Sequence, residues 1–170
     1  MDKSDQDRLS RLWAPWRSAF ISQRKRPGCI FCIAKRSRQD RQHQVIARHA
    51  HVFALLNRYP YNNGHLMVAP YRHVGGLAAL REPEWMGMLQ LSRRLTDRLH
   101  RVLHPDGFNV GLNLGRAAGA GIPGHLHLHI VPRWNGDTNF MPVLTHTKII
   151  SQSLDELFTL LGVPQRQRRS

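Results

Sequence analysis

The chain has 170 residues, enough for one domain with a real core, and its hydrophobic content of 41% is ordinary for a globular protein. No run approaches the roughly 18 apolar residues of a membrane helix, and the opening MDKSDQDRLSR lacks the apolar stretch of a secretory signal, so a cytoplasmic protein without a membrane partner is expected. Lys and Arg total 25 against 11 Asp and Glu, a formal charge of +14, which attracts nucleotides, nucleic acids or other polyanions without choosing among them, or simply solvates the surface.

Residues 1–12 read as a disordered N-terminus, 13–163 as a single domain and 164–170 as a disordered basic tail. Trp13, Trp16, Phe20 and Ile21 form an apolar set suited to docking on a body. Cys29 and Cys32 follow, the only two cysteines, with a two-residue gap that lets both thiolates grip one tetrahedral metal. A thioredoxin-like redox pair has the same spacing, but no βαβ pattern precedes it. Residues 33–44 are polar and basic, a short helix or a loop.

Val45–Ala47, His51–Leu56 and His65–Ala69 read as strands, the last two joined as an antiparallel hairpin through a turn at Asn63-Gly64. Glu82–Leu103 is the clearest helix. Pro83 suits its first turn, and Trp85, Met88, Leu89, Leu95, Leu99, Val102 and Leu103 recur at helical spacing. Phe108–Gly115 alternates strictly, with Phe108, Val110, Leu112 and Leu114 on one face and only Asn and Gly on the other, the pattern of a half-buried strand. A glycine-rich loop, 115–124, leads to a strand at His125–Val131, and Leu154–Leu161 reads as a short C-terminal helix.

The histidines concentrate the chemistry. In Gly124-His125-Leu126-His127-Leu128-His129-Ile130-Val131, a period of two puts His125, His127 and His129 on one face and Leu126, Leu128 and Ile130 in the core. Neighbouring imidazoles are expected roughly 7 Å apart. Such a row suits binding or cleaving an anion, or holding a metal. The preceding Gly115-Arg116-Ala117-Ala118-Gly119-Ala120-Gly121 has little bulk, so its backbone N–H groups can approach phosphate closely. His65 faces the active site or is a satisfied structural histidine. His43, His100, His104 and His146 read as surface residues.

The segment His125 to Val131 resembles the signature of the histidine-triad (HIT) superfamily. Asn57, Gly64–Pro70, Phe108–Asn113 and Pro132-Arg133-Trp134 extend the likeness over residues 29 to about 145. Leu12–Arg17 and Pro132–Asp137 resemble the branch of bacterial diadenosine-tetraphosphate phosphorylases and HIT hydrolases. The resemblance implies an α+β fold with an antiparallel sheet of about five strands, one long helix and a homodimer. It also implies nucleotidyl transfer from a purine dinucleoside polyphosphate to phosphate or water. His127 is then the nucleophile, His129 a hydrogen-bond donor to the α-phosphate, Asn57 a ribose ligand and Asn113 a phosphate contact. Gly119, Gly121 and the backbone around them, with Arg116, complete the phosphate cradle. Many relatives carry Gln or Ser just before the triad, where this chain has Ala120-Gly121-Ile122, so backbone or Arg116 must substitute. For the cysteine pair the resemblance implies a structural Zn2+ completed by His73 and His125, with His49 and His51 as rivals for one ligand. A nucleoside phosphoramidate or acyl-nucleotide hydrolase would use the same residues. A nucleic-acid-associated module rests on charge alone and is the less expected partner class.

Overall fold

The computed structural model describes residues 28–138 and 150–162. The expectations for 1–12, the docking set at 13–21, His146 and the tail at 164–170 lie outside these residues. The elements below all belong to one unit within Pro27–Asn135 and Ile150–Ser170. Gly136–Thr138 belong to a second unit, in which Thr138 Oγ1 donates to Asp137 Oδ1 at 3.3 Å.

Five strands, β1 (Val45–Arg48), β2 (Val52–Leu56), β3 (Leu66–Pro70), β4 (Gly107–Leu112) and β5 (Leu128–Arg133), form one antiparallel sheet in the order β1-β2-β3-β5-β4. Among the described residues three α-helices accompany it: α1 (Ile30–Arg36), α2 (Glu82–Leu103) and α3 (Leu154–Leu161). The α+β fold, the sheet of five and the long helix are those the sequence implied.

Period-two alternation divides the core. Val52, Ala54, Leu56, Leu66, Val68, Leu128 and Ile130 pack on Met88, Leu91, Leu95 and Leu99 of α2 and on Leu157 and Leu161 of α3. Phe53, Leu55, Met67 and Ala69 turn to the other face and pack on Phe31 and Ala34 of α1. Both central hairpin strands are therefore buried throughout. Met67 pairs with His129 across the ladder, which puts the histidine side of β5 on the α1 face. Arg48 fastens α1 there, donating to the Ala34 and Ser37 carbonyls at 3.0 and 2.9 Å.

Helix α2 has the predicted bounds. Glu82 and Glu84 lie in its first turn, and His104 ends it in a left-handed conformation, φ 48°. Leu89, expected in the stripe, is exposed, and Leu91 takes the buried place. Three further differences have local causes. The Cys-x-x-Cys segment is helical from Ile30, with Cys29 as the N-cap. Strand β5 starts at Leu128 and not His125, because Pro70 at the end of β3 has no N–H to extend the ladder. Instead, the Leu126 N–H donates to the Val74 carbonyl. Strand β4 stops at Leu112 and is the outer strand, so Val110 and Leu114 are 52% and 46% exposed against the predicted burial.

Candidate active site

His127 and His129 lie on the α1 face, and their rings are 4.8 Å apart at 63°. This is closer than the roughly 7 Å spacing of alternate strand residues; His127 lies just before the regular ladder. Their protonation follows from partners that have only one role. The His125 carbonyl can only accept, so His127 Nδ1–H donates to it at 2.8 Å and Nε2 keeps its lone pair. The Tyr61 N–H donates to His65 Nδ1 at 3.0 Å, and Asn57 Nδ2 reaches the same atom at 3.3 Å. His65 Nε2 therefore carries the proton and donates to His129 Nδ1 at 2.8 Å. His129 is left with a protonated Nε2, which is buried and has no partner among the described residues. A ring nitrogen with a free lone pair thus stands beside a ring N–H with nothing to bond.

Burial keeps these rings neutral. It lowers His127 below the ordinary histidine value, against the opposing effect of its bond to the His125 carbonyl. Burial, then the neighbouring His127 charge, pushes His129 down to about 4. Burial, then His129 and His127, pushes His65 down to about 3. Neutral imidazoles are what nucleophilic attack on phosphorus needs.

On the same face Cys29, Cys32, His73 and His125 bring their four ligand atoms within 4.8 Å of one another. The Cys29 Sγ to His125 Nδ1, Cys32 Sγ to His73 Nδ1 and Cys32 Sγ to His125 Nδ1 distances are 3.2, 3.3 and 3.7 Å. Tetrahedral zinc with ordinary bond lengths separates sulfur from nitrogen by roughly 3.6 Å, so this donor set fits it. His125 Nε2–H donates to the Pro70 carbonyl at 2.9 Å, which leaves Nδ1 as the ligating atom. Burial raises the Cys29 thiol, and a bound cation is what would deprotonate it. His49 and His51 are not in this cluster.

The α1 helix explains the cysteine geometry: an N-cap and a residue three positions on share one end of a helix. His73 is held from behind. Arg72 makes a two-pronged bond to buried Glu84, at 2.7 and 2.6 Å, and tethers the segment after β3 to the start of α2. Arg72 holds the Glu84 carboxyl below the usual range.

The remaining predicted residues are spread around the histidines. Asn113 follows Leu112, which pairs with Leu128, so it emerges near His127. Asn113 Nδ2 also lies 3.8 Å from where a Cβ on Gly119 would stand. Arg116, Gly119 and Gly121 sit in an exposed turn that Gly115 and Gly119 enter with φ of 80° and 84°. Asn57 backs the triad: its Nδ2 reaches His65, and its Oδ1 accepts from the Tyr59 N–H at 3.0 Å. Sequence reasoning left His65 undecided and missed Tyr61, whose ring lies 4.6 Å from His65 and 5.6 Å from His129. The signal available was its place in the hairpin turn, three residues before Gly64.

A HIT domain model matches residues 38–136. The chain belongs to the HIT family and is an enzyme of it, in the nucleotide transferase or hydrolase class. An AP-4-A phosphorylase of Mycobacterium tuberculosis is 39% identical over 164 residues, which cover 92% of this chain and 84% of that one. The asymmetrical bis(5'-nucleosyl)-tetraphosphatase of Schizosaccharomyces pombe is 32% identical over 94 residues, 55% of this chain and 51% of that one. Among solved structures, a zinc-bound histidine triad family protein of Mycobacterium smegmatis superposes with a TM-score of 0.62 at 27% identity, covering 79% of this chain and 90% of that one.

Proposed function

We propose that this enzyme transfers a nucleotidyl group from a purine dinucleoside polyphosphate, diadenosine tetraphosphate first among them, to inorganic phosphate through a covalent nucleotidyl-His127. The observation that carries this reading is the pairing of a free lone pair on His127 Nε2 with the unpartnered N–H of His129. The lone pair attacks the α-phosphorus in line. The bond to the bridging oxygen breaks, its electron pair leaves with the nucleoside triphosphate, and a phosphorus–nitrogen bond remains. The His129 N–H donates to a nonbridging oxygen as charge builds there. A phosphate oxygen then attacks from the vacated side, and the electron pair of the phosphorus–nitrogen bond returns to Nε2. Asn113, Arg116 and the backbone around Gly119 and Gly121 hold the phosphates in this scheme, and Asn57 binds ribose.

Cys29, Cys32, His73 and His125 would hold a structural zinc. Four protein ligands fill a tetrahedral shell, so the ion would cross-link the segments and leave no position for substrate. The same reading includes a cytoplasmic setting, where thiols stay reduced. It also includes a homodimer formed through the open edge at β4, where Val110 and Leu114 are exposed. Light scattering should then give about twice the 19.6 kDa chain mass; a monomer at micromolar concentration contradicts it.

A panel of dinucleoside polyphosphates, nucleoside phosphoramidates and acyl-nucleotides, run with and without phosphate, tests the activity. Diadenosine tetraphosphate with phosphate should give ATP and ADP. ATP and AMP, with no acceleration by phosphate, would make the enzyme a hydrolase. Turnover of phosphoramidates alone would favour the second substrate class.

A further inference from the structure

Phe31 stands between the two cysteines in the first turn of α1 and is wholly buried. Its ring lies 4.9 Å from the His125 ring at 43°, and 4.9 Å from the His127 ring at 38°. It meets Phe53 edge-on at 6.4 Å, which fixes it from the sheet side. One aromatic ring therefore touches a member of the metal cluster and the ring with the free lone pair.

His127 has few other restraints. The bond from Nδ1 to the His125 carbonyl fixes the tautomer and one in-plane direction. His129 meets the ring nearly edge-on. The in-plane hydrogen bond alone does not oppose a tilt that swings Nε2 out of line. Phe31, lying against the ring at 38°, opposes it. Its backbone lies between Cys29 and Cys32 while Phe53 packs on its ring, and the carbonyl that accepts from His127 belongs to the cluster residue His125. One restraint on His127 thus comes from a cluster residue, and the other from the residue that lies between the two cluster cysteines.

We propose that Phe31 is a positioning residue for His127, and that the Cys29–Cys32–His73–His125 cluster acts on the reacting nitrogen through it. The proposal rests on the reading of His127 as nucleophile. It gives the metal cluster a part in turnover beyond stability, without contact with substrate.

Phe31→Leu keeps apolar bulk and removes the flat face. The variant should retain one zinc per chain and a KM within about twofold, while kcat falls about tenfold, the scale of a modest misplacement of a reacting group. Nitrogen-15 NMR of the imidazoles should show His127 protonated at Nδ1 in both proteins, with its ring signals shifted and broadened in the variant as the ring gains room to tilt. A folded, zinc-loaded Phe31→Leu with wild-type kcat and an unchanged His127 spectrum overturns the proposal. So does a loss of kcat that only tracks loss of zinc. Phe31→Met is read by the same criteria if the leucine variant does not fold. An active His127→Asn would instead defeat the nucleophile reading, and the NMR comparison would still decide whether Phe31 orders the ring.

Discussion

A carbonyl oxygen can only accept and a backbone N–H can only donate, and these two facts set the histidine chemistry of this chain. The His125 carbonyl commits His127 to Nδ1–H, and the Tyr61 N–H commits His65 and through it His129. His127→Asn removes the nitrogen proposed to attack. It should lower kcat by at least about three orders of magnitude while nucleotide affinity stays near wild type. Loss of no more than tenfold would exclude His127 as the nucleophile. His65→Asn leaves both active rings in place but removes the Nε2–H from which His129 Nδ1 accepts. His129 can then protonate at Nδ1 and present a lone pair to the phosphate. We expect kcat to fall at least about tenfold with little change in KM, as for other tautomer-setting partners; an unchanged kcat would show that the His65 bond does not govern His129. The three triad histidines were legible in the sequence because a period of two puts them on one face. The relay through His65 was not, because it depends on the register between β3 and β5, a pairing of residues 64 positions apart.

At the scale of elements, strongly periodic segments announced themselves and edges did not. Helix α2 could be delimited from Pro83 at one end and Pro105 and Gly107 at the other, because its amphipathic pattern runs for 22 residues. The alternation in β4 predicted a buried face, but alternation reports only that one face is apolar, and β4 is the sheet's outer strand. The metal cluster shows a similar division. Cys29 and Cys32 were conspicuous by spacing, His73 and His125 came from resemblance, and the Arg72–Glu84 tether that steadies His73 had no sequence signal. Close approach of backbone segments adds a constraint: a Cβ on Gly124 would stand 3.2 Å from His73 Nε2. Gly124→Ala should push the imidazole by a few tenths of an ångström and speed zinc release to a chelator, with the fold intact. Cys29→Ala should lose zinc and thermal stability together. A Gly124→Ala protein that holds zinc as the wild type does would show that His73 has room to yield.

For the whole molecule, a formal charge of +14 brings anions to the surface but does not build the site. The site depends on imidazoles that are neutral because they are buried, and this ties the stability of the fold to pH. In an unfolded chain His65 and His129 take up protons near the ordinary value of about 6.5. In the folded chain burial, with the nearby histidines, delays this to about 3 and about 4. Between those values the unfolded state binds more protons than the folded one, so stability is fully present above about pH 6.5 and declines as the pH falls below it. Each such group contributes at most about 1.4 kcal/mol per pH unit across its window. The two rings share a hydrogen bond, so their effects do not simply add. The denaturation midpoint should therefore hold from pH 7.5 to about 6.5 and drop steadily from there to pH 4.5. Loss of the proposed zinc to protons would act in the same direction, and His65→Asn separates the two, because it keeps the four cluster residues and removes one buried imidazole. Its midpoint should begin lower at pH 7.5 and fall less steeply toward pH 4.5. Equal slopes in the two proteins would show that His65 has no part in the acid sensitivity, and a flat wild-type profile would show that the buried pair accepts protons as readily folded as unfolded.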